Sequence, residues 1–410
     1  MTNAVVGQSG GPSVAINSSL AGVFKAASEN PAIDKVYGMV NGLQGLLEER
    51  LTLLADSVKN DADIELLRRT PASFLGSCRY KLPKLTDGSE IFEKVISILN
   101  KYEIKYFFYI GGNDSMDTVM KLSGYAKSKG ITDIHFVGVP KTIDNDLVAT
   151  DHTPGFGSAA KYIAATVREI SRDSRVYDTY SVTIIEIMGR NAGWLTAASA
   201  LAKDADNDTP DLIYLPECVF DFDKFIEDIK KVAKRKKNVI VTISEGAATA
   251  DGKYVCEAVS SGTADAFGHK YLGGTARHLE DVVRERLGFK ARGIELNIPQ
   301  RCAAHISSKT DLDEAMAVGE AAVSAAVGGA TGVMMAYKRL SDSPYKIDFE
   351  ALDVNGIANA EKTIPGEWIN AEENGVTEEF ITYALPLIQG EVDVPYKNGL
   401  PVHLVLKKQN

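Results

Sequence analysis

Cysteine is scarce, and no two of the four stand close together: positions 78, 218, 256 and 302 are scattered along the chain. That spacing excludes a zinc knuckle and a Cys-x-x-Cys redox pair, and leaves free, structural thiols of an intracellular protein. Histidine is sparse too. Among the six, His152, His269, His278 and His305 show no ligand spacing with one another, so none is assigned to a metal. No stretch approaches the roughly 18 consecutive apolar residues of a membrane span. A strand-like run, Asn3-Ala4-Val5-Val6, begins at once and leaves no room for a secretory leader, so a cytoplasmic location is expected. Positive charge is also in deficit. A formal charge of −10 argues against nucleic-acid binding, and anionic substrates would need a locally basic cleft. The basic run at residues 230–237 closes a helical pattern just before a strand, where cations suit the helix C-terminus.

The chain does hold enough apolar residues, 45% of 410, to build two or three sizeable cores. Short β-branched runs alternate with helical patterns through glycine-containing turns. Val5-Val6 precedes Gly7-Gln8-Ser9-Gly10-Gly11-Pro12-Ser13 and a helical stretch. Residues 181–187 precede Met188-Gly189-Arg190-Asn191-Ala192-Gly193 and another. Continuous apolar strands between helices indicate parallel sheets covered on both faces. The expected fold is therefore α/β, with two doubly wound, mostly parallel-sheet domains. The crossing between them is expected near Thr153-Pro154-Gly155-Phe156-Gly157, with a return near 297–301. Residues 1–155 with about 300–346 would form one unit, and 156–299 with about 347–410 the other. The segment beyond 347 is less periodic and looks like an appended extension of low functional information.

Two motifs dominate. Gly111-Gly112-Asn113-Asp114-Ser115 follows the apolar run Tyr106-Phe107-Phe108-Tyr109-Ile110 and opens a helix. Asp114 and Ser115 would suffice as a helix cap, but two preceding glycines exceed what a cap requires and favour a phosphate or metal site. Lys141-Thr142-Ile143-Asp144-Asn145-Asp146 follows a second apolar run. In an extended segment its alternate acids would point to one side, one taking a hydroxyl proton and the other helping to position magnesium. Lys141 offers a point charge to a phosphate. Both motifs lie at strand ends on the edge where open α/β sheets bind ligands. The loop Ser9-Gly10-Gly11-Pro12-Ser13 is either a phosphate cradle or a tight turn, and it matches neither a dinucleotide fingerprint nor a Walker A loop. Arg190, Glu245, Arg292 and Arg301 are further candidates, arginine forks suiting phosphate and a carboxylate suiting sugar hydroxyls.

Taken with Gly76-Ser77-Cys78-Arg79, Met188-Gly189-Arg190, Ile243-Ser244-Glu245 and Pro299-Gln300-Arg301, these segments resemble the phosphofructokinase family up to about residue 345. The resemblance implies transfer of a phosphoryl group to the 1-hydroxyl of fructose 6-phosphate, a step of glycolysis and gluconeogenesis, with Mg2+ as cofactor. It implies Asp144 as general base, with Thr142, Met188, Gly189, Arg190, Glu245 and Arg301 as sugar-phosphate contacts. Arg292 matches an arginine that reaches the 6-phosphate across a subunit interface, which implies a homodimer or homotetramer. Gly11, Arg79, Asp114 and Lys141 match the phosphoryl-donor pocket, and Asn113, Asp114 and Asp146 the metal site.

Two of these positions set the donor. ATP-using members carry glycine where this chain has Asp114 and Lys141, and the pyrophosphate-dependent branch is similar to this chain at both. Asp114 would put a carboxylate where the α-phosphate of ATP belongs, and Lys141 would fill part of the same volume. Pyrophosphate is therefore the expected donor, with ATP, or a non-catalytic sugar-phosphate-binding subunit, as alternatives. Two departures stand out: Asn113 where many relatives have aspartate, and Ser181 where bacterial ATP enzymes have a basic residue.

Overall fold

The computed structural model describes residues 2–258, 273–358 and 360–407, so His269 lies outside the described residues. In chain order the strands are β1 (Thr2–Gln8), β2 (Ile33–Met39), β3 (Leu51–Leu53), β4 (Ile104–Gly111), β5 (His135–Pro140), β6 (Ser181–Ile187) and β7 (Leu212–Tyr214). They continue with β8 (Asn238–Ser244), β9 (Lys290–Glu295), β10 (Val333–Asp342) and β11 (Tyr345–Asp353), and end in a two-stranded pair, β12 (Tyr396–Lys397) and β13 (Leu400–Pro401). One sheet has the order β11-β10-β5-β4-β1-β2-β3, and a smaller one the order β7-β8-β6-β9. The smaller sheet is parallel throughout, and the larger is parallel except at its two outer pairs, β2–β3 and β10–β11.

The strands are apolar on both faces because both faces are covered. In the large sheet Val5, Phe107 and Tyr109 join one core, while Ala4, Val6, Phe108 and Ile110 join the core on the opposite face. In the small sheet Ile185, Ile187 and Ile213 face one core, and Val182, Ile184 and Tyr214 the other. This is the doubly wound arrangement expected of α/β sheets. The helix Phe156–Ser174 lays Phe156, Ala159, Ile163 and Val167 into the small sheet's core. The helix Lys309–Val327 instead returns to the large sheet and packs against the helix Ile16–Glu29. Glycines set that crossing: a Cβ on Gly22 would stand 2.0 Å from the Met316 carbonyl oxygen, so the two backbones touch.

The extension differs from expectation. Residues 347–353, expected with the second unit, lie in β11 and pair antiparallel with β10 at the edge of the large sheet. Exposed and half-buried side chains alternate along β11, as suits an edge strand, and this weak alternation hid it in the sequence. Beyond it, Phe380, Tyr383, Ala384 and Leu387 are buried in a small-sheet core, packed with Trp194. Among the described residues, no helix is long and apolar enough to cross a membrane. The four cysteines are free.

Candidate active site

Strands β1, β4 and β5 are neighbours, so their C-terminal turns lie side by side. The Ser9 amide donates to the Ile110 carbonyl (2.9 Å) and the Lys141 amide to the Gly111 carbonyl (3.0 Å), stitching the three turns together. Gly111 is required by this closeness: a Cβ there would lie 1.9 Å from Ser115 Oγ and 2.7 Å from Ser9 Oγ, two hydroxyls that hydrogen-bond each other. The helix Asn113–Ser128 starts directly after Gly112, and no side chain caps it. Capping therefore does not account for Asp114 and Ser115, and the helix leaves its first amides facing the cleft, where an anion would be stabilised.

Lys141 is only 4% exposed, and its Nζ donates to the Gly11 carbonyl at 2.7 Å. Burial pushes its pKa down to about 8, against the pull of Asp144 and Asp146. The following residues correct one expectation. Within residues 142–146 the chain turns at Ile143-Asp144 and does not stay extended, with Asn145 in the left-handed region (φ 56°) and its Nδ2 donating to the Tyr383 hydroxyl at 2.8 Å. The turn forms because the Asp144 amide bonds Thr142 Oγ1 (3.1 Å), a local side-chain contact that competes with strand pairing. Asp144 and Asp146 still meet in one cleft. Burial raises the Asp144 pKa, opposed first by Lys141. Asp146 is pushed to about 7 by burial, then by the charges of Asp144 and Glu361.

The small sheet contributes from the other side. Met188-Gly189-Arg190 follows β6, and Glu245 follows β8. Ser244 Oγ donates to the Gly189 carbonyl (2.5 Å), and Gly246 lets the Arg190 carbonyl come within 1.8 Å of where a Cβ would stand. Glu245 is held near 7 by burial and by Asp144 across the cleft. Arg301 sits on the short helix Pro299–Cys302, its Nε buried without a hydrogen-bond partner.

Two connected cavities result. One, of about 650 Å³, is lined by Met188, Gly189, Arg190, Glu245 and Arg301. The other, of about 590 Å³, is lined by Ser9, Gly10, Gly112, Asn113, Asp114 and Ser115. Gly11, Arg79, Lys141, Thr142, Asp144, Asp146 and Glu361 line both and so mark their junction. Apart from Arg292, the structure brings every candidate residue to this cleft. Arg292 lies on edge strand β9 with its side chain 63% exposed, 3.9 Å from Asp173, in a separate shallow depression with Tyr177 and Lys290. Three carboxylate or amide positions, Asn113, Asp114 and Asp146, share the second cavity, and Asn113 Oδ1 is buried without a partner. An all-oxygen set of this kind suits a hard divalent cation shared with phosphate oxygens. Among the described residues, no three His, Cys, Asp or Glu side chains converge as a self-sufficient metal site.

Sequence reasoning missed Glu186, Asn191, Gln300 and Glu361. Gln300 Oε1 accepts the Met188 amide at 3.2 Å. Glu186, buried within β6, accepts the Ala276 amide at 2.9 Å and is raised to about 7 by burial. A glutamate inside an apolar strand, two residues before Met188, was the available signal for Glu186. Glu361 had none, because its partners are brought to it only by the fold.

The chain matches the phosphofructokinase family over residues 3–294. A pyrophosphate–fructose 6-phosphate 1-phosphotransferase of Halomonas elongata is 42% identical, covering 97% of this chain and 94% of its own. A sulfofructose kinase of Alkalicoccus urumqiensis is 31% identical over 95% of each chain. Among solved structures, the pyrophosphate-dependent phosphofructokinase of Nitrosospira multiformis superposes with a TM-score of 0.87 at 38% identity, covering 100% of this chain and 99% of that one. Matched over most of its length by the family and nearly end to end by these relatives, the chain belongs to the phosphofructokinase family.

Proposed function

We propose that this protein transfers a phosphoryl group from pyrophosphate to the 1-hydroxyl of fructose 6-phosphate, giving fructose 1,6-bisphosphate and phosphate, reversibly. The observation that carries the reading is the junction: Lys141, Thr142, Asp144 and Asp146 line both cavities, so a donor in one and an acceptor in the other meet over the same residues. Asp144 accepts the proton of the 1-hydroxyl as the oxygen attacks the terminal phosphorus, and the second phosphate leaves with the bridging electron pair. Gly11, Arg79 and Lys141 hold the donor's charge, and the first amides of the helix Asn113–Ser128 add the field of its N-terminus. Asn113, Asp114 and Asp146 would hold Mg2+, which supplies charge neutralisation to the phosphate oxygens. Thr142, Met188, Gly189, Arg190, Glu245 and Arg301 orient the sugar phosphate.

Donor choice rests on Asp114 and Lys141. A carboxylate in the first turn of that helix and a buried lysine in the same cavity oppose an adenosine-bearing phosphate and suit a short, compact one. Arg292 lies outside this cleft in its own subunit, which favours its serving the site of a second copy, in a cytoplasmic homodimer or homotetramer. The test supplies magnesium and fructose 6-phosphate with pyrophosphate in one reaction and ATP in another. Bisphosphate with pyrophosphate alone is expected. Product with ATP alone would overturn the donor assignment, and silence with both would favour a binding subunit.

A further inference from the structure

The segment 361–364 lies well beyond the family-matched region, yet it runs between the two catalytic turns. On one side Glu361 pairs antiparallel with Leu147, and the Lys362 amide donates to the Asp146 carbonyl at 2.7 Å. Lys362 Nζ continues inward to the carbonyls of Thr150 (3.1 Å) and Asp151 (2.7 Å). On the other side the turn after β6 is held by three contacts. Asn191 Nδ2 donates to both Glu361 carboxylate oxygens, at 2.9 and 3.0 Å. Trp194 Nε1 donates to the Lys362 carbonyl at 2.9 Å. Glu217 Oε1 accepts both the Ile364 amide (3.0 Å) and the Gly193 amide (2.8 Å). The strap thus ties the turn bearing the base to the turn bearing the sugar contacts.

Glu361 is the anomaly in that strap. It places a third carboxylate at a junction that already holds Asp144 and Asp146 and must receive anions. That carboxylate repels the two others and any anion the junction receives. A charge kept where it opposes its neighbours points to a local role that outweighs the cost. The bidentate bond from Asn191 is the role in view: a charged acceptor holds that amide more firmly than a neutral one.

We propose that Glu361 is a positioning residue for the acceptor, clamping the Asn191 turn to the Asp144 turn so that the sugar hydroxyl stands within reach of its base. The substrate named here rests on the proposed reaction, whereas the clamp itself does not. Misplacement by about 1 Å can cost a reaction on the order of a hundredfold. Glu361→Ala should therefore lower kcat by roughly 10- to 100-fold while the KM for the phosphoryl donor stays within about twofold. Asn191→Asp sets two carboxylates against each other and should lose as much. Glu361→Gln keeps an oxygen for Asn191 and should lose less.

The double variant Glu361→Gln with Asn191→Asp rebuilds the bond with donor and acceptor exchanged. It should recover at least about tenfold over Asn191→Asp alone, a rescue that general destabilisation cannot produce. If the wild type turns over ATP instead of pyrophosphate, the donor reading fails and the same comparison proceeds with ATP. Amide exchange at Lys362 and Ile364 is read in the unliganded protein and should speed at least tenfold in Glu361→Ala. Unchanged exchange, or a double variant no better than Asn191→Asp, would overturn the clamp.

Discussion

Replacing Lys141 with methionine separates stability from function in opposite directions. The side chain is 4% exposed and pays for its place: a pKa lowered from 10.5 to about 8 corresponds to about 3 kcal/mol against the cation in the folded state. Methionine has similar length and no charge. Its gain is reduced by the lost charged bond to the Gly11 carbonyl, worth about 1.5–3 kcal/mol, leaving a net stabilisation of at most about 1.5 kcal/mol at pH 7. For a folding unit of about 200 residues this raises Tm by at most roughly 3–6 °C. Between about pH 8 and 10.5 the unfolded lysine holds a proton that the folded one has released, so wild-type stability rises with pH there. The variant's advantage is therefore full below pH 8 and has reversed by about 10.5, where the burial cost is gone and only the lost bond remains. Function moves the other way, because a charge-assisted bond to a phosphate contributes about 1.5–3 kcal/mol, or roughly 10- to 150-fold in the KM for pyrophosphate. Calorimetry across pH and initial-rate kinetics with each substrate varied are the assays. A lower Tm at pH 7, or a pyrophosphate KM within threefold of wild type, would refute the reasoning.

Other outcomes follow from the same cleft. Asp144→Asn should cut kcat at least a hundredfold with the sugar-phosphate KM little changed, as expected for loss of a general base; a loss under tenfold would remove that role. Activity should fall as pH drops below about 7, where Asp146 and Glu245 take up protons beside a raised Asp144. Stability carried by these carboxylates runs opposite. The folded groups keep protons that the unfolded ones release near pH 4, so their contribution falls as pH rises from about 4 to 7; parallel kcat/KM and melting profiles check both signs. Arg292→Ala should raise the sugar-phosphate KM at least tenfold without altering the pyrophosphate KM. Mixing it with an Asp144→Asn chain should restore part of the activity if the arginine serves a neighbour's site.

The parts legible in the sequence are those in which a chemical group and its structural cause are adjacent. Gly111-Gly112 before Asn113 announces a strand end, a close approach and a helix start within a few residues, and Ser9 and Ser115 crowd that glycine in the fold. Lys141 and Asp144 are likewise local, because the strand before them is apolar on both faces and must end where they begin. The turn at 142–146 was less legible. Alternating acids suit an extended segment, and only the Thr142 hydroxyl bonding the Asp144 amide decides for a turn. Asn145, polar and fully buried, belongs to that turn by bonding Tyr383, some 240 residues on.

That bond shows why the C-terminal extension looked uninformative. Its contributions are single side chains: Glu361 meets Asn191 after β6, whereas Lys362 and Tyr383 both reach the Asp151 carbonyl beyond β5, and no periodicity records such meetings. Edge strand β11 is half exposed along its length and carries the same weak signature. The catalytic turns hold their own chemistry but not their mutual distance. That distance is set by chain read last, whose three polar side chains lie on both sides of the cleft, so residues that carry the reaction and residues that align it were never equally visible in the sequence.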